Sequence, residues 1–276
     1  MNEAEIVTEV KKNGFCRVDN FLDRENFLTA EKILNRRILH KNISKGELDT
    51  FFYRSRNKVF LLSKLLKFKI THILDCIKLI KIANKLKLSF LADEILGTKS
   101  KLYTIDSYFS PQSNEPVLEW HFDQAYSGKS DVKKFLNPDY AALKFFVYFT
   151  PVDLNNGCLG YIPGSNKIAY HLKKGIFMGE LKYKPYWKLN DFRNVLKDPI
   201  YYSYLEKKVG IDLIKNFLDN TKFVEVSPYQ TNNFYNKLDK GGAIIFDESG
   251  AHTGSKPSKH DRLVLRFSYK ISSAPS

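Results

Sequence analysis

The sequence predicts an α+β protein: a helical first third followed by an antiparallel barrel or sandwich. Two observations carry that expectation. Apolar residues recur at three- and four-residue steps before about residue 97 and at two-residue steps from about residue 100. A chain of 276 residues with 43% hydrophobic content can bury one sizeable core, so one large domain with insertions is preferred to two small ones.

The elements follow in order. "EIVTEVKKNG" reads as a short helix stopped by Gly14, "FCRVDNF" as a strand, and Asp23 as the N-cap of a helix over "RENFLTAEKILNRRIL". Helices are then expected to about residue 97. Over 58–96, Leu and Ile repeat at the helical period with Lys between them, which predicts one or two helices laying an apolar stripe on a core with lysine stems at its margin. The segments "KLYTIDSYF", "VLEWHFD", "YAALKFFVYFTPV", "CLGYI", "GGAIIFD" and "RLVLRFSYKI" are β-rich and bounded by Pro, Gly, Asn and Asp. A Lys- and Tyr-rich stretch between Tyr170 and Thr221 has weak helical patterning and is too long for a plain loop, so it is expected to be a lid-like insertion. The layout is therefore a basic helical part over about 20–97, a β core over about 100–170 and 222–271, and an insertion over about 171–221.

The net charge is +14, and residues 31–101 hold 17 Lys and Arg against 6 Asp and Glu. Such a field suits an anionic small molecule, nucleic acid or an acidic membrane surface, and it also suits a merely solvated helix face. No helix-turn-helix, zinc-finger or RNA-binding signature accompanies the charge, which argues against nucleic acid. No apolar run reaches the length of a membrane span and the start lacks a secretory segment, so the expectation is cytoplasmic; peripheral membrane contact stays open. Cys16, Cys76 and Cys158 are odd in number and far apart, which argues against a disulfide framework or a structural zinc site. The oligomeric state is not legible.

The chemistry gathers in two stretches. In "EWHFDQAY", His121 and Asp123 are two apart, so on a strand both project from one face while Phe122 points the other way. In "GGAIIFDESGAHTGSKPSKHDRLVLRFSY" an apolar strand ends at Asp247, a Gly-containing turn follows, and His252 stands just beyond it. Two histidines and a carboxylate on one side of an iron leave adjacent positions open, the arrangement of non-haem Fe(II) oxygenases. Arg262 opens the next strand, where a guanidinium can grip a carboxylate by two points. Arg266 shares its face, with Leu263, Leu265 and Phe267 on the other, so either arginine could serve or form an ion pair.

At these residues the chain resembles the phytanoyl-CoA dioxygenase family of Fe(II)- and 2-oxoglutarate-dependent oxygenases. The likeness runs from "NGFCRVDNFLD" through "WHFD" and "TPVDLNNGCLGYIPGSNK" to the "GGAIIFD…HTGS…RLVLRFSY" ending, and is weakest over 40–100 and 171–222. It implies a double-stranded β-helix of jelly-roll type spanning one oxygenase domain, iron on His121, Asp123 and His252, and 2-oxoglutarate held by Arg262, with Arg266 as the alternative. Lys101, Tyr103 or Ser107 would supply a further contact to the oxo acid. The implied reaction consumes O2 and 2-oxoglutarate, releases succinate and CO2, and hydroxylates a C–H bond of a small anionic metabolite. Two other readings compete: a cupin-like metalloenzyme that uses no oxo acid, and a non-catalytic basic binding module on a degenerate oxygenase scaffold.

Overall fold

The computed structural model describes residues 1–38, 48–54, 70–123, 137–138, 142–226 and 234–272. Its first element, α1 (Glu3–Asn13), starts with a capping box in which the Asn2 side chain accepts from Glu5 N–H, and it ends on Gly14 at φ 87°. β1 (Phe15–Val18) follows, then α2 (Arg24–Ile38), where Asp23 accepts from Asn26 N–H at 2.8 Å as the expected N-cap. After α2 the sequence expectation of continuous helix fails over β2 (Leu48–Arg54). This strand is only 7 residues long and pairs along the edge of a strand far down the chain, so no local period announces it. Next come α3 (Ile70–Lys85) and α4 (Leu88–Leu96); the remainder of the 58–96 helical expectation, residues 58–69, lies outside the described residues.

The β-rich half supplies β3 (Ser100–Ser110), β4 (Leu118–His121), β5 (Ala142–Tyr148) and β6 (Leu159–Tyr161). The helices α5 (Ser165–Phe177), α6 (Leu189–Leu196), α7 (Pro199–Val209) and α8 (Ile211–Val226) interrupt it. It resumes with β7 (Ala243–Asp247), β8 (His252–Gly254) and β9 (Arg262–Ile271). A six-stranded sheet runs in the order β1-β7-β5-β9-β3-β2 and faces a three-stranded sheet β4-β8-β6, all pairings antiparallel. Strands distant in sequence are neighbours in space, the winding of a double-stranded β-helix. The jelly-roll expectation is met.

Strand parity decides what each face does. Ile105, Phe267, Phe145 and Ile245 sit opposite one another across four strands and form one outer stripe. They share a core with Ile6, Val10, Ile33, Leu34, Leu79 and Leu91 of the N-terminal helices. Each large apolar side chain so buried contributes about 1.5–3 kcal/mol. The partner residues one step along, Lys144, Phe146 and Tyr148 on β5 and Arg262, Val264 and Arg266 on β9, face the small sheet instead. The described helices of the basic segment therefore stand behind the large sheet. Lys78, Lys81, Lys85 and Lys87 are exposed on these helices, which agrees with the solvated-face reading of the charge for this part of the segment. Among the described residues no helix is long and apolar enough to cross a membrane.

The insertion is more regular than its sequence pattern suggests. Pro199 opens α7 behind Asp198, whose side chain accepts from Ile200 N–H at 2.9 Å. Phe192, Phe217, Leu205 and Ile214 pack a core shared with Phe122, Ile162 and Ala251 at the back of the small sheet. Phe122 stacks on Phe192 with ring centroids 4.6 Å apart, and its N–H donates to Trp187 O at 3.0 Å. The described helices thus brace the strand that carries His121 from behind, where a lid over the pocket was expected.

Candidate functional site

His121 ends β4 and His252 opens β8, and the two face each other directly across the strand pair. Both are buried and their rings lie 4.3 Å apart. Each ring is oriented from behind by its own backbone: His121 Nδ1 lies 2.7 Å from Glu119 O, and His252 Nδ1 lies 2.8 Å from Gly250 O. Carbonyl oxygens only accept, so both Nδ1 atoms carry the proton and both Nε2 lone pairs point forward. Gly250 is required in this turn, because a Cβ there would fall 1.9 Å from the Tyr161 hydroxyl.

Asp123 completes the cluster from just beyond the end of β4. Its carboxylate stands 3.2 Å from His121 Nε2 and 3.4 Å from His252 Nε2, and one donor atom from each residue lies within 4.8 Å of the others. Three hard-to-borderline donors converging from one side, with both imidazoles turned by fixed carbonyls, fit a divalent iron. Burial holds the His252 imidazole below its ordinary pKa against the opposing pull of Asp123, which keeps it neutral and able to ligate. Burial pushes the Asp123 carboxyl up, but the Lys144 ammonium outweighs it and holds the group well below the usual carboxylate range. The carboxylate is therefore ionised.

Lys144 was not singled out by the sequence reading. Its ammonium is buried, bonds Asp123 directly and lies 3.1 Å from Glu248. Burial works against that charge, yet the two carboxylates raise its pKa. The signal was present: one lysine interrupts the apolar run "AALKFFVYF", and its parity places it on the inner face of β5.

The inner face also separates the two arginines. Arg266 lies opposite Asp106 on β3, donates from Nε to Oδ1 at 2.7 Å and makes a second bond from Nη2 to Oδ2. This two-point pair commits its guanidinium. Arg262 pairs with Ser110 at the far end of the same strands, is 3% exposed, and donates from Nη1 to Ser110 Oγ at 3.4 Å. A cavity of about 150 Å³ is lined by both arginines together with His121, Asp123, Lys144 and His252.

The three upstream candidates are placed elsewhere. Lys101 reaches Ser272 O at 2.9 Å, Tyr103 packs under Lys270 at 4.2 Å, and neither lines the cavity. Ser107 lies opposite Leu265, whose side chain belongs to the outer core, so it too faces away. A bulge between Leu102 and Thr104 offsets the strand's alternation. The β3 side chains that reach the inner site are Asp106, Tyr108 and Ser110, which a reading of alternation alone did not select.

A double-stranded β-helix holding a His-x-Asp…His cluster with both imidazoles buried, beside an inward arginine, defines a mononuclear non-haem metal oxygenase. The profile of the phytanoyl-CoA dioxygenase (PhyH) family matches residues 10–263. The chain belongs to that family, which uses iron and 2-oxoglutarate. No curated protein matches the sequence. Among solved structures, the chain is similar to the epimerase SnoN in complex with Fe3+, alpha-ketoglutarate and nogalamycin RO, at TM-score 0.54 and 13% identity over 98% of this chain and 84% of that one. It is also similar to AviO1 from Streptomyces viridochromogenes, at TM-score 0.53 and 11% identity over 100% and 97% of the two chains. EvdO2 from Micromonospora carbonacea var. aurantiaca complexed with 2-oxoglutarate matches at TM-score 0.53 and 13% identity over 100% and 95%. At such identities these likenesses carry the fold.

Proposed function

We propose that this chain is an Fe(II)- and 2-oxoglutarate-dependent dioxygenase that hydroxylates a C–H bond of a small anionic metabolite, releasing succinate and CO2. His121, Asp123 and His252 hold the iron, and Arg262 grips the distal carboxylate of the oxo acid. The observation that carries the reading is the convergence of both Nε2 atoms and the Asp123 carboxylate at the wall of a cavity into which an inner-face arginine also projects. When bound, iron and the oxo acid together supply the oxidising chemistry with O2. The chain's own work is orientation: two carbonyls aim the imidazoles, Lys144 holds one side of the Asp123 carboxylate, and Arg262 is buried at the cavity wall. An anionic substrate is the class that a chain of +14 would gather, acting at a distance, because the described basic helices lie behind the sheet. Its kcat/KM is expected to fall as salt rises; a salt-independent value removes the anionic assignment.

The clamp is tested by titrating 2-oxoglutarate anaerobically into the Fe(II)-loaded protein and following the metal-to-ligand absorption band. Charge-assisted bonds of about 1.5–3 kcal/mol are lost in Arg262→Ala, so affinity is expected to fall roughly 10- to 150-fold with metal content unchanged. Arg262→Lys recovers part of the loss, since an ammonium lacks the planar fork. Wild-type affinity in the Arg262→Ala protein would remove the clamp, and loss of the oxo acid from the scheme altogether would favour the cupin-like reading.

A further inference from the structure

The tight turn of "NNGC" lies against the arginine assigned above to the oxo acid. Gly157 has φ +72°, and a Cβ at that position would fall 2.5 Å from Arg262 Cδ and 3.2 Å from its Cβ and Cγ. The stem of Arg262 therefore rests directly on the glycine's Cα. The turn is itself held in place. Gly157 N–H donates to Lys256 O at 3.0 Å, Ser258 N–H to Asn155 O at 3.0 Å, and His260 N–H to Asn156 Oδ1 at 3.2 Å. These bonds fasten the chain between His252 and Arg262 to the turn at three successive points.

On the other side of the guanidinium stands Tyr148. Its ring centroid is 5.8 Å from Arg262 Cζ, and the guanidinium reaches its hydroxyl, which also accepts from Leu159 N–H at 3.2 Å. Burial pushes this phenol up to about 12, so it stays neutral beside the arginine. Tyr148 does not line the cavity and so has no route to the oxo acid except through Arg262.

Resting on the proposed role of Arg262, we infer that Gly157 and Tyr148 are positioning residues that set how far and at what angle the guanidinium reaches, and so set the preference for a 2-oxo acid with a distal carboxylate. The glycine fixes the stem by permitting contact no other residue allows. The tyrosine fixes the fork from behind. Neither residue touches the metal cluster, so their effect should be confined to the far end of the oxo acid.

The test compares 2-oxoglutarate with 2-oxobutanoate, which chelates a metal identically but lacks the distal carboxylate. Affinities of both are measured anaerobically on the Fe(II)-loaded wild type, Gly157→Ala and Tyr148→Phe, alongside metal content and the unfolding midpoint. Tyr148→Phe keeps the packing and should weaken 2-oxoglutarate roughly two- to tenfold, the worth of one net hydrogen bond. Gly157→Ala displaces the stem and should weaken it at least tenfold. In both, 2-oxobutanoate affinity and metal content should match wild type, so the preference ratio falls; a general loss of structure would lower both acids together. Should Gly157→Ala fail to fold, Tyr148→Phe decides. If wild type prefers 2-oxoglutarate and the variants keep that preference, the positioning role is overturned while the function stands. If wild type shows no preference, the Arg262 clamp fails and the inference with it.

Discussion

Asp123→Ala and His121→Ala proteins are expected to lose the divalent metal. Each variant removes one of three donors that the fold brings within 4.8 Å of one another. Changes outside the ligand set alone often lower affinity about 10- to 100-fold, so removing a ligand should exceed that. In Asp123→Ala a further cost arises, because buried Lys144 loses the carboxylate it bonds directly and keeps, among the described residues, the Glu248 carboxylate as its counter-charge beside the incoming metal. Elemental analysis after dialysis against trace Co(II) or Ni(II) gives the comparison. A second measurement follows from linkage: metal at about 100 times its Kd adds about 2.7 kcal/mol to unfolding stability. Wild type should therefore gain in midpoint on metal addition, and both variants should not. Equal metal content in all three proteins would remove the metal centre from this cluster.

How much of this was legible beforehand depends on the range of the contact. His121 and Asp123 were legible because a two-residue spacing on a strand is a local geometric fact, and Phe122 turns to the opposite side as that geometry requires. His252 was legible because a glycine turn ends an apolar strand just before it. The choice between Arg262 and Arg266 was not, since both lie on one face of one strand; what separates them is Asp106, 160 residues away in sequence. Lys144 and Glu248 escaped for the same reason, as their meaning lies in each other and in Asp123. β2 was hidden because its strand character comes from pairing with β3 along the edge. The insertion's pattern was weak because several of its apolar faces meet one another and the back of Phe122, which dilutes the amphipathic period of any single helix.

The last expected result concerns that distant partner. Asp106 is fully buried and Arg266 nearly so, with side-chain exposures of 0% and 15%, and they meet through two bonds. Although burial opposes the charge, Asp106 raises the Arg266 pKa, so the guanidinium stays charged. Removing one partner leaves the other without its two-point counterpart at a largely buried position. Asp106→Ala and Arg266→Ala should each lower unfolding free energy by about 3–5 kcal/mol, read from urea denaturation with the slope unchanged. The double variant Asp106→Leu/Arg266→Met replaces both charges with apolar groups of similar volume and should recover most of the loss. A drop below about 1 kcal/mol in the single variants would show that water reaches the pair. The same Arg266→Ala protein, examined below its midpoint, should bind 2-oxoglutarate nearly as wild type does, because its guanidinium is spent on Asp106. A stability defect at Arg266 together with a binding defect at Arg262 assigns different work to two arginines that share one strand face.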